Sequence, residues 1–133
     1  MTLIVVAAVI IDGAKVLVTQ RPEGSHLAGM WEFPGGKVEP DEDPRVALAR
    51  ELREELGVEA DVGDVVEVTF HRYPNKNVLL IFYKTSLLAT SPPPRAIDVA
   101  ALDWRSAEDL VDEHFPPADV TILERVRARL GDG

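Results

Sequence analysis

The run from Gly36 to Val58, GKVEPDEDPRVALARELREELGV, predicts a helix whose two ends are both marked in the sequence. Pro44 suits the first helical turn, and Asp43 directly before it is a favourable N-cap. Gly57 suits the left-handed residue that ends a helix. At about 3.6 residues per turn, one stripe of this helix is apolar and must pack against a core. The stripe consists of Leu48, Leu52 and Leu56.

Three carboxylates share the neighbouring face of this helix. Glu51, Glu54 and Glu55 stand at i, i+3 and i+4, which brings them together beside the leucine stripe. Crowded carboxylates next to a core repel one another and lose favourable hydration. A hard divalent cation removes both penalties, and Mg²⁺ is the usual ion where phosphates bind, with Mn²⁺ as a substitute. A solvated acidic face is the alternative, but the Gly35-Gly36 pair before the helix favours a metal site.

The same run resembles the Nudix box, the signature of hydrolases that cleave a nucleoside diphosphate linked to another group. Two further segments, WEFPGGKVE at 31–39 and FPPAD at 115–119, resemble the MutT-like branch of that family. This branch includes enzymes that act on 8-oxo-dGTP and on cytidine triphosphates. The resemblance implies one Nudix domain over residues 1–133, folded as an α/β/α sandwich with a mixed β-sheet between helices.

Composition limits the class of protein and of partner. A chain of 133 residues is long enough for one domain, and the absence of cysteine excludes disulfides and thiol chemistry. The apolar run at 3–11 is too short to span a bilayer and lacks the features of a signal peptide, which predicts a cytoplasmic protein without membrane contact. The net charge of −9 argues against a nucleic-acid polymer as partner, whereas a cation-filled site accepts a small nucleotide. The sequence leaves open whether the protein is a monomer or a homodimer.

The remaining elements follow from alternation, turn residues and helical spacing. Asp12-Gly13 predicts a hairpin, and Pro34-Gly35-Gly36 predicts a turn before the long helix. Ser106 and Asp109 resemble a capping box for a short helix, and Asp119 is suited to cap a last amphipathic helix. The predicted strands are Leu3–Ile11, Val16–Thr19, Trp31–Phe33, Val62–Tyr73 and Val78–Leu88, with a hairpin loop at 74–77.

The resemblance implies that Glu51, Glu54 and Glu55 bind the metal together with the backbone carbonyl of Gly35. One helix glutamate, or an acid outside the run, is expected to act as general base. Arg50 is expected to orient the catalytic glutamates, of which Glu54 is also its i,i+4 neighbour. The residues with a structural role in the motif are Gly36, Glu42 and Gly57.

Outside the run, Asp98 and Asp103 are the candidates for an additional catalytic acid. Related enzymes place a carboxylate near this point, in some of them directly before a tryptophan. Because Asp103 precedes Trp104, this pattern favours Asp103, with a plain surface aspartate as the alternative.

Basic side chains and one short segment are expected to bind the substrate. By resemblance Arg21, Lys37 and Lys76 contact it, with a plain solvated side chain as the alternative for Lys37. Lys76 replaces an arginine found in some relatives, so it acts only as a point charge. The residues implied for the base pocket are Glu32, Phe33, Ala118 and Asp119. An ionised aspartate only accepts hydrogen bonds, so Asp119 suits a base edge that donates, such as an exocyclic amine. A role for Asp119 as the N-cap alone is the alternative.

Three functions remain open. The first is an Mg²⁺-dependent pyrophosphohydrolase that converts a nucleoside triphosphate and water to a monophosphate and pyrophosphate, and so removes 8-oxo-dGTP or derivatives of (d)CTP. The second is a Nudix hydrolase of ADP-ribose, a nucleotide sugar or a dinucleoside polyphosphate. The third is a catalytically silent ligand-sensing domain, against which the presence of every glutamate in the run argues. The three histidines show no spacing that indicates a metal site or a catalytic role.

Overall fold

A computed structural model describes residues 1–132 and contains seven strands and two α-helices. The strands are β1 (Thr2–Asp12), β2 (Lys15–Gln20), β3 (Trp31–Glu32), β4 (Gly35–Lys37), β5 (Ala60–Tyr73), β6 (Lys76–Leu87) and β7 (Ala101–Arg105). The helices are α1 (Pro44–Leu56) and α2 (Val120–Asp132), and three short 3₁₀ turns separate β7 from α2. No helix among these residues is both long and apolar enough to cross a membrane.

The strands form one mixed sheet in the order β3-β2-β1-β6-β5, to which β4 adds by pairing with β1 and β7 by pairing with β2. Strand β1 runs parallel to β6 and antiparallel to β2 and β4. Successive β1 side chains point to opposite faces of the sheet. Val6 and Ala8 therefore pack with the leucines of α1, while Ala7 and Val9 pack with the apolar side of α2. The predicted α/β/α sandwich is confirmed.

The ends of α1 are those that its sequence predicts. Asp43 is extended, and its carboxylate accepts a hydrogen bond of 2.8 Å from the Arg45 backbone N–H. Gly57 has a φ of 67° and donates its N–H to the carbonyl of Arg53. The predicted leucine stripe of α1 and the apolar positions predicted for α2 are fully or almost fully buried.

Gly57→Ala is expected to lower the free energy of unfolding by about 1 to 2 kcal/mol, because an alanine at positive φ is strained. The added Cβ would also lie only 2.9 Å from Arg95 and from Ile97. The matched control is Gly131→Ala in α2, where the Cβ meets no atom within 4 Å and alanine favours the helix. Urea denaturation compares the two variants, and equal midpoints would contradict this account.

Three local predictions were wrong. Ser106 is the N-cap of a 3₁₀ turn at 107–109, but the predicted capping box does not form, because its hydroxyl donates to the Asp109 carboxylate (3.0 Å) and makes no cap hydrogen bond to the backbone. Gly35 and Gly36, predicted as a turn, lie in β4, where a Cβ on Gly35 would overlap the backbone of β1. Lys76 is the first residue of β6 and not a loop residue, because it pairs with the last residue of β5.

Candidate active site

A cavity of about 360 Å³ opens on the side of the sheet that carries α2. Its apolar wall consists of side chains on β1 and β6, namely Leu3, Val5, Ala7, Val78, Leu80 and Phe82. Polar residues reach it from the loop after β2, from β3 and β4, from the β5–β6 hairpin and from the segment before α2. The cavity therefore joins parts of the chain that lie far apart in sequence.

Most of the residues predicted to bind substrate meet in this cavity. The predicted residues that line it are Arg21, Glu32, Phe33, Gly35, Gly36, Lys37, Glu55, Lys76, Ala118 and Asp119. The predicted residues placed outside its lining are Glu42, Arg50, Glu51, Glu54, Gly57 and Asp103. Apart from Gly57 and Asp103, the second group forms one ion-pair network next to the cavity.

Arg50 is the centre of that network. Its guanidinium donates two hydrogen bonds to Glu42, of 2.8 and 2.9 Å, and one of 3.0 Å to Glu51. It also contacts Glu54 at 3.3 Å and donates to the backbone carbonyl of Lys37 at 3.2 Å. One rigid side chain thus links two glutamates of α1 to the strand that precedes the helix.

Glu55 is the glutamate of α1 that lines the cavity. Its Oε2 atom is buried and has no hydrogen-bond partner among residues 1–132. Burial, with the charges of Glu32 and Glu51, raises the pKa of Glu55 to about 9. Burial also raises the pKa of Glu51, although Arg50 opposes that shift. These carboxylates are crowded in a way that a positive ion would relieve.

The side chains here supply the oxygen ligands that a divalent metal ion prefers, but they do not all converge on one point. In the described part of the chain, no three carboxylates or imidazoles converge closely enough to surround one ion. Glu51 is hydrogen-bonded to Arg50, and the Glu54 side chain is 56% exposed and also paired with Arg50. Coordination by all three would therefore require Glu54 to turn inwards. The oxygen donors and the orphaned Glu55 atom fit a hard divalent cation.

Glycine is required where β4 passes α1. A Cβ on Gly36 would lie 2.4 Å from the carboxylate carbon of Glu51. That distance is too short for any side chain at position 36. Glycine there leaves room for the Glu51 carboxylate.

The two candidates for an additional catalytic acid, Asp103 and Asp98, lie at different distances from the cavity lining: only Asp98 is part of it. Asp103 lies on β7, where its carboxylate accepts from the Trp104 N–H and pairs with Arg105, away from the cavity. Asp98 lines the cavity, and its charge raises the pKa of Glu55. Two backbone N–H groups, of Ile97 and Asp98, donate to the Glu55 carbonyl at 3.0 and 3.2 Å and hold this segment against the end of α1.

The cavity lining also contains Glu32 and Asp119. Glu32 pairs with Arg21 at 2.9 Å, and Arg21 also donates to the carbonyl of His26. Asp119 is 5% exposed, and burial together with Glu32 raises its pKa to about 7. Asp119 is not an N-cap, because it belongs to a 3₁₀ turn that runs into α2 and its N–H donates to Pro116.

An aromatic group in the cavity lining was not predicted from the sequence. His71 and Tyr73 are two residues apart on β5, and their ring centres are 4.5 Å apart. His26 packs edge-on against Tyr73 from the loop after β2, at 5.4 Å. The two-residue spacing on a strand was the available signal for His71 and Tyr73, whereas no local pattern indicates His26.

Comparison with known proteins identifies the family of this chain. The model of the NUDIX domain family matches residues 1–126. The CTP pyrophosphohydrolase of Escherichia coli K12 is 43% identical over 93% of this chain and 90% of its own length. A putative 8-oxo-dGTP diphosphatase 2 of Mycobacterium tuberculosis H37Rv is 46% identical over 87% of this chain and 82% of its own.

Among solved structures, the E. coli ORF135 protein superposes with a TM-score of 0.80 at 41% identity, over 96% of this chain and 89% of that one. The range matched by the family model includes α1 and every residue that lines the cavity. The chain belongs to the Nudix family of hydrolases.

Proposed function

We propose that this protein is an Mg²⁺-dependent nucleoside triphosphate pyrophosphohydrolase that removes oxidised or modified nucleotides, such as 8-oxo-dGTP or derivatives of (d)CTP. The products are a nucleoside monophosphate and pyrophosphate. One observation carries the proposal: a single cavity is lined by Glu32 and Asp119 as well as by Glu55 and Gly35. Relatives named as a CTP pyrophosphohydrolase and an 8-oxo-dGTP diphosphatase support the same substrate class.

The size of the cavity supports a single nucleoside. A volume of about 360 Å³ lies at the low end of the range for ligand sites, roughly 300 to 1,000 Å³. One base and its sugar fit such a space, whereas the second half of a dinucleoside polyphosphate or nucleotide sugar would have to remain in solvent. The volume thus favours a triphosphate over those substrates.

Glu51, Glu54 and Glu55, with the carbonyl of Gly35, would hold Mg²⁺. When bound, the ion acts as a Lewis acid on the phosphate and promotes the deprotonation of water. Arg50 orients Glu51 and Glu54 through the hydrogen bonds described above.

Lys37 at the end of β4 and Lys76 at the start of β6 both line the cavity, and we assign their positive charges to the phosphates of the substrate. Asp98 is our candidate for the acid outside the helix, because it faces Glu55. Together these groups neutralise the charge of the phosphates, position the substrate and deprotonate the attacking water. Attack of water on a phosphorus requires this chemistry.

At the base end, Phe33 packs against Phe82 and Phe115 with ring centres 5.9 Å apart, which fixes the strand that carries Glu32. Glu32 and Asp119 then present acceptor oxygens to a base edge that bears donors. Free nucleoside triphosphates are cytoplasmic metabolites, so we place the proposed activity in the cytoplasm. No nucleic-acid polymer is needed as a partner.

The test is a comparison of initial rates with Mg²⁺ on 8-oxo-dGTP, dGTP, CTP, dCTP, 5-methyl-dCTP, ADP-ribose and a nucleotide sugar. Pyrophosphate and orthophosphate are measured separately. We expect one triphosphate to exceed ADP-ribose and the sugar by about tenfold or more in kcat/KM, a difference of about 1.4 kcal/mol. It should release pyrophosphate and lose activity with a chelator. A faster reaction with ADP-ribose or the sugar would refute the triphosphate assignment, and no reaction at all would favour a silent domain.

A further inference from the structure

Residues 22–29 form a loop between β2 and β3 whose two ends are tied together. The Arg21 N–H donates to the Met30 carbonyl at 2.9 Å, and the Gly29 N–H donates to the Arg21 carbonyl at 3.1 Å. The Arg21 side chain also donates to the carbonyl of His26, in the middle of the segment. These hydrogen bonds define the conformation of this segment, which we call the β2–β3 loop.

The β2–β3 loop crosses the face of the sheet that forms the apolar wall of the cavity. It begins at the end of β2, yet the His26 ring contacts Tyr73 on β5, with ring centres 5.4 Å apart. In the sheet, β1 and β6 lie between β2 and β5. Neighbouring strands are about 4.8 Å apart, so the loop bridges roughly 14 Å of the sheet. It therefore lies opposite the β1 and β6 side chains that line the cavity.

Leu27 has the most unusual backbone conformation in this loop. Its φ of 58° lies in the left-handed region, where a bulky side chain is strained. Gly24 and Gly29 also have positive φ, but glycine adopts it without strain. Among residues 1–132, Asp41 is the other non-glycine residue with positive φ, and aspartate tolerates this region better than leucine. Leucine is thus a residue type that the backbone at position 27 disfavours.

Packing in a hydrophobic core does not offset the strain at Leu27. The described part of the chain has two core clusters, one packed against α1 and one against α2, and Leu27 belongs to neither. Its half-buried side chain instead lines the cavity, together with Ser25 and His26 of the same loop. Strained residues persist where function needs a side chain in a particular place. The strain at Leu27 therefore points to the cavity and not to stability.

We propose that Leu27 is a substrate-binding residue: its left-handed backbone turns the apolar side chain into the cavity, where it holds the nucleoside of a bound nucleotide against the wall formed by β1 and β6. The inference rests on the proposed function for the identity of the ligand as a nucleotide. A nucleobase has two apolar faces, and an apolar group on each side removes both faces from water. Leucine at position 27 thus destabilises the free protein and strengthens the complex.

Two variants separate the strain from the contact. Leu27→Asn keeps nearly the shape of the side chain, tolerates positive φ and is polar. We expect it to raise the urea midpoint of the ligand-free protein and to weaken nucleotide binding by about tenfold, because an apolar contact is lost. Leu27→Ala loses the same contact but keeps a Cβ at positive φ, so binding should weaken without a gain in stability.

Binding of dCMP, dGMP and AMP is measured by calorimetry with a chelator present, so hydrolysis plays no part. Asp41→Leu is the matched control, because Asp41 is exposed, has a φ of 62° and lies outside the cavity lining. It should lower the urea midpoint and leave the dissociation constants unchanged. In hydrolysis assays, Leu27→Asn should raise KM and leave kcat nearly unchanged, as expected for a contact that is equally strong in the ground state and the transition state.

A Leu27→Asn protein that binds nucleotides as tightly as the wild type, or that is less stable than the wild type, overturns the inference. Equal weakening of binding in Asp41→Leu overturns it as well, and so does failure of the wild type to bind any of the three nucleotides. The proposed function is tested separately by pyrophosphate release. Nucleotide binding that weakens in Leu27→Asn without any hydrolysis of triphosphates would refute that function and leave this inference standing.

Discussion

Glu55→Gln is expected to make the metal-free protein more stable while it lowers kcat by about 10³-fold, or about 4 kcal/mol of activation free energy. The two effects have one cause. The Glu55 side chain is partly buried between other carboxylates, and one of its oxygens has no hydrogen-bond partner among residues 1–132. This arrangement is unfavourable in the absence of a cation and is suited to binding one.

The raised pKa of Glu55 determines the direction in which stability changes with pH. The pKa of Glu55 is about 9 in the folded state and 4.5 by its ordinary value, so between these limits the folded state binds more protons than the unfolded state. Stability therefore falls as pH rises from about 4.5 to about 9. Glu55→Gln removes this contribution, and the gain should grow across that range to about 1 to 2 kcal/mol.

Urea denaturation at several pH values, with a chelator present, measures the gain. Glu32, Glu51 and Asp119 shift in the same direction, so the difference between variant and wild type, and not the wild-type curve alone, isolates Glu55. Glu59→Gln is the control, because that half-exposed carboxylate pairs with Arg53 away from the cavity. Added Mg²⁺ should stabilise the wild type but not Glu55→Gln. A variant that is less stable than the chelated wild type at pH 8 would rule out the crowding described here.

The structural features that the sequence predicts best are those determined by residues close together in the chain. The ends of α1 depend on Asp43 and Gly57, whose effects act within one turn of the helix, and both were predicted correctly. The glutamate face of α1 follows from helical spacing alone. The residues of the cavity were found through the resemblance of short segments, since no periodicity relates Arg21 to Asp119.

What the sequence does not predict depends on contacts between distant segments. Asp98 lies in the cavity because its segment is held by backbone hydrogen bonds to the end of α1. Residues of almost any type can form such bonds, so the sequence does not predict them. Strand β4 exists because Gly35 fits against the backbone of β1. Asp119 has the residue type of an N-cap, but its burial among the cavity residues overrides that local preference.

Arg50→Ala is expected to lower kcat by about 10²-fold, or about 2.7 kcal/mol, with little change in KM. Arg50 itself does not line the cavity, but its guanidinium holds Glu51 and Glu54 and is fixed by two hydrogen bonds to Glu42. Its removal leaves two metal-binding glutamates without the group that orients them. The Mg²⁺ concentration for half-maximal rate should therefore rise, which a loss of substrate contact would not cause.

Two further variants separate positioning from charge. Arg50→Lys keeps the charge but loses the planar fork that bridges Glu42 and Glu51, so it should recover little of the lost turnover. Arg53→Ala is the matched control, because Arg53 lies on the same helix, is 54% exposed and pairs only with Glu59 among the described residues. Steady-state kinetics across Mg²⁺ concentrations compare the three. If Arg50→Lys matches the wild type, positive charge alone suffices, and the positioning role of the Arg50 fork would be refuted.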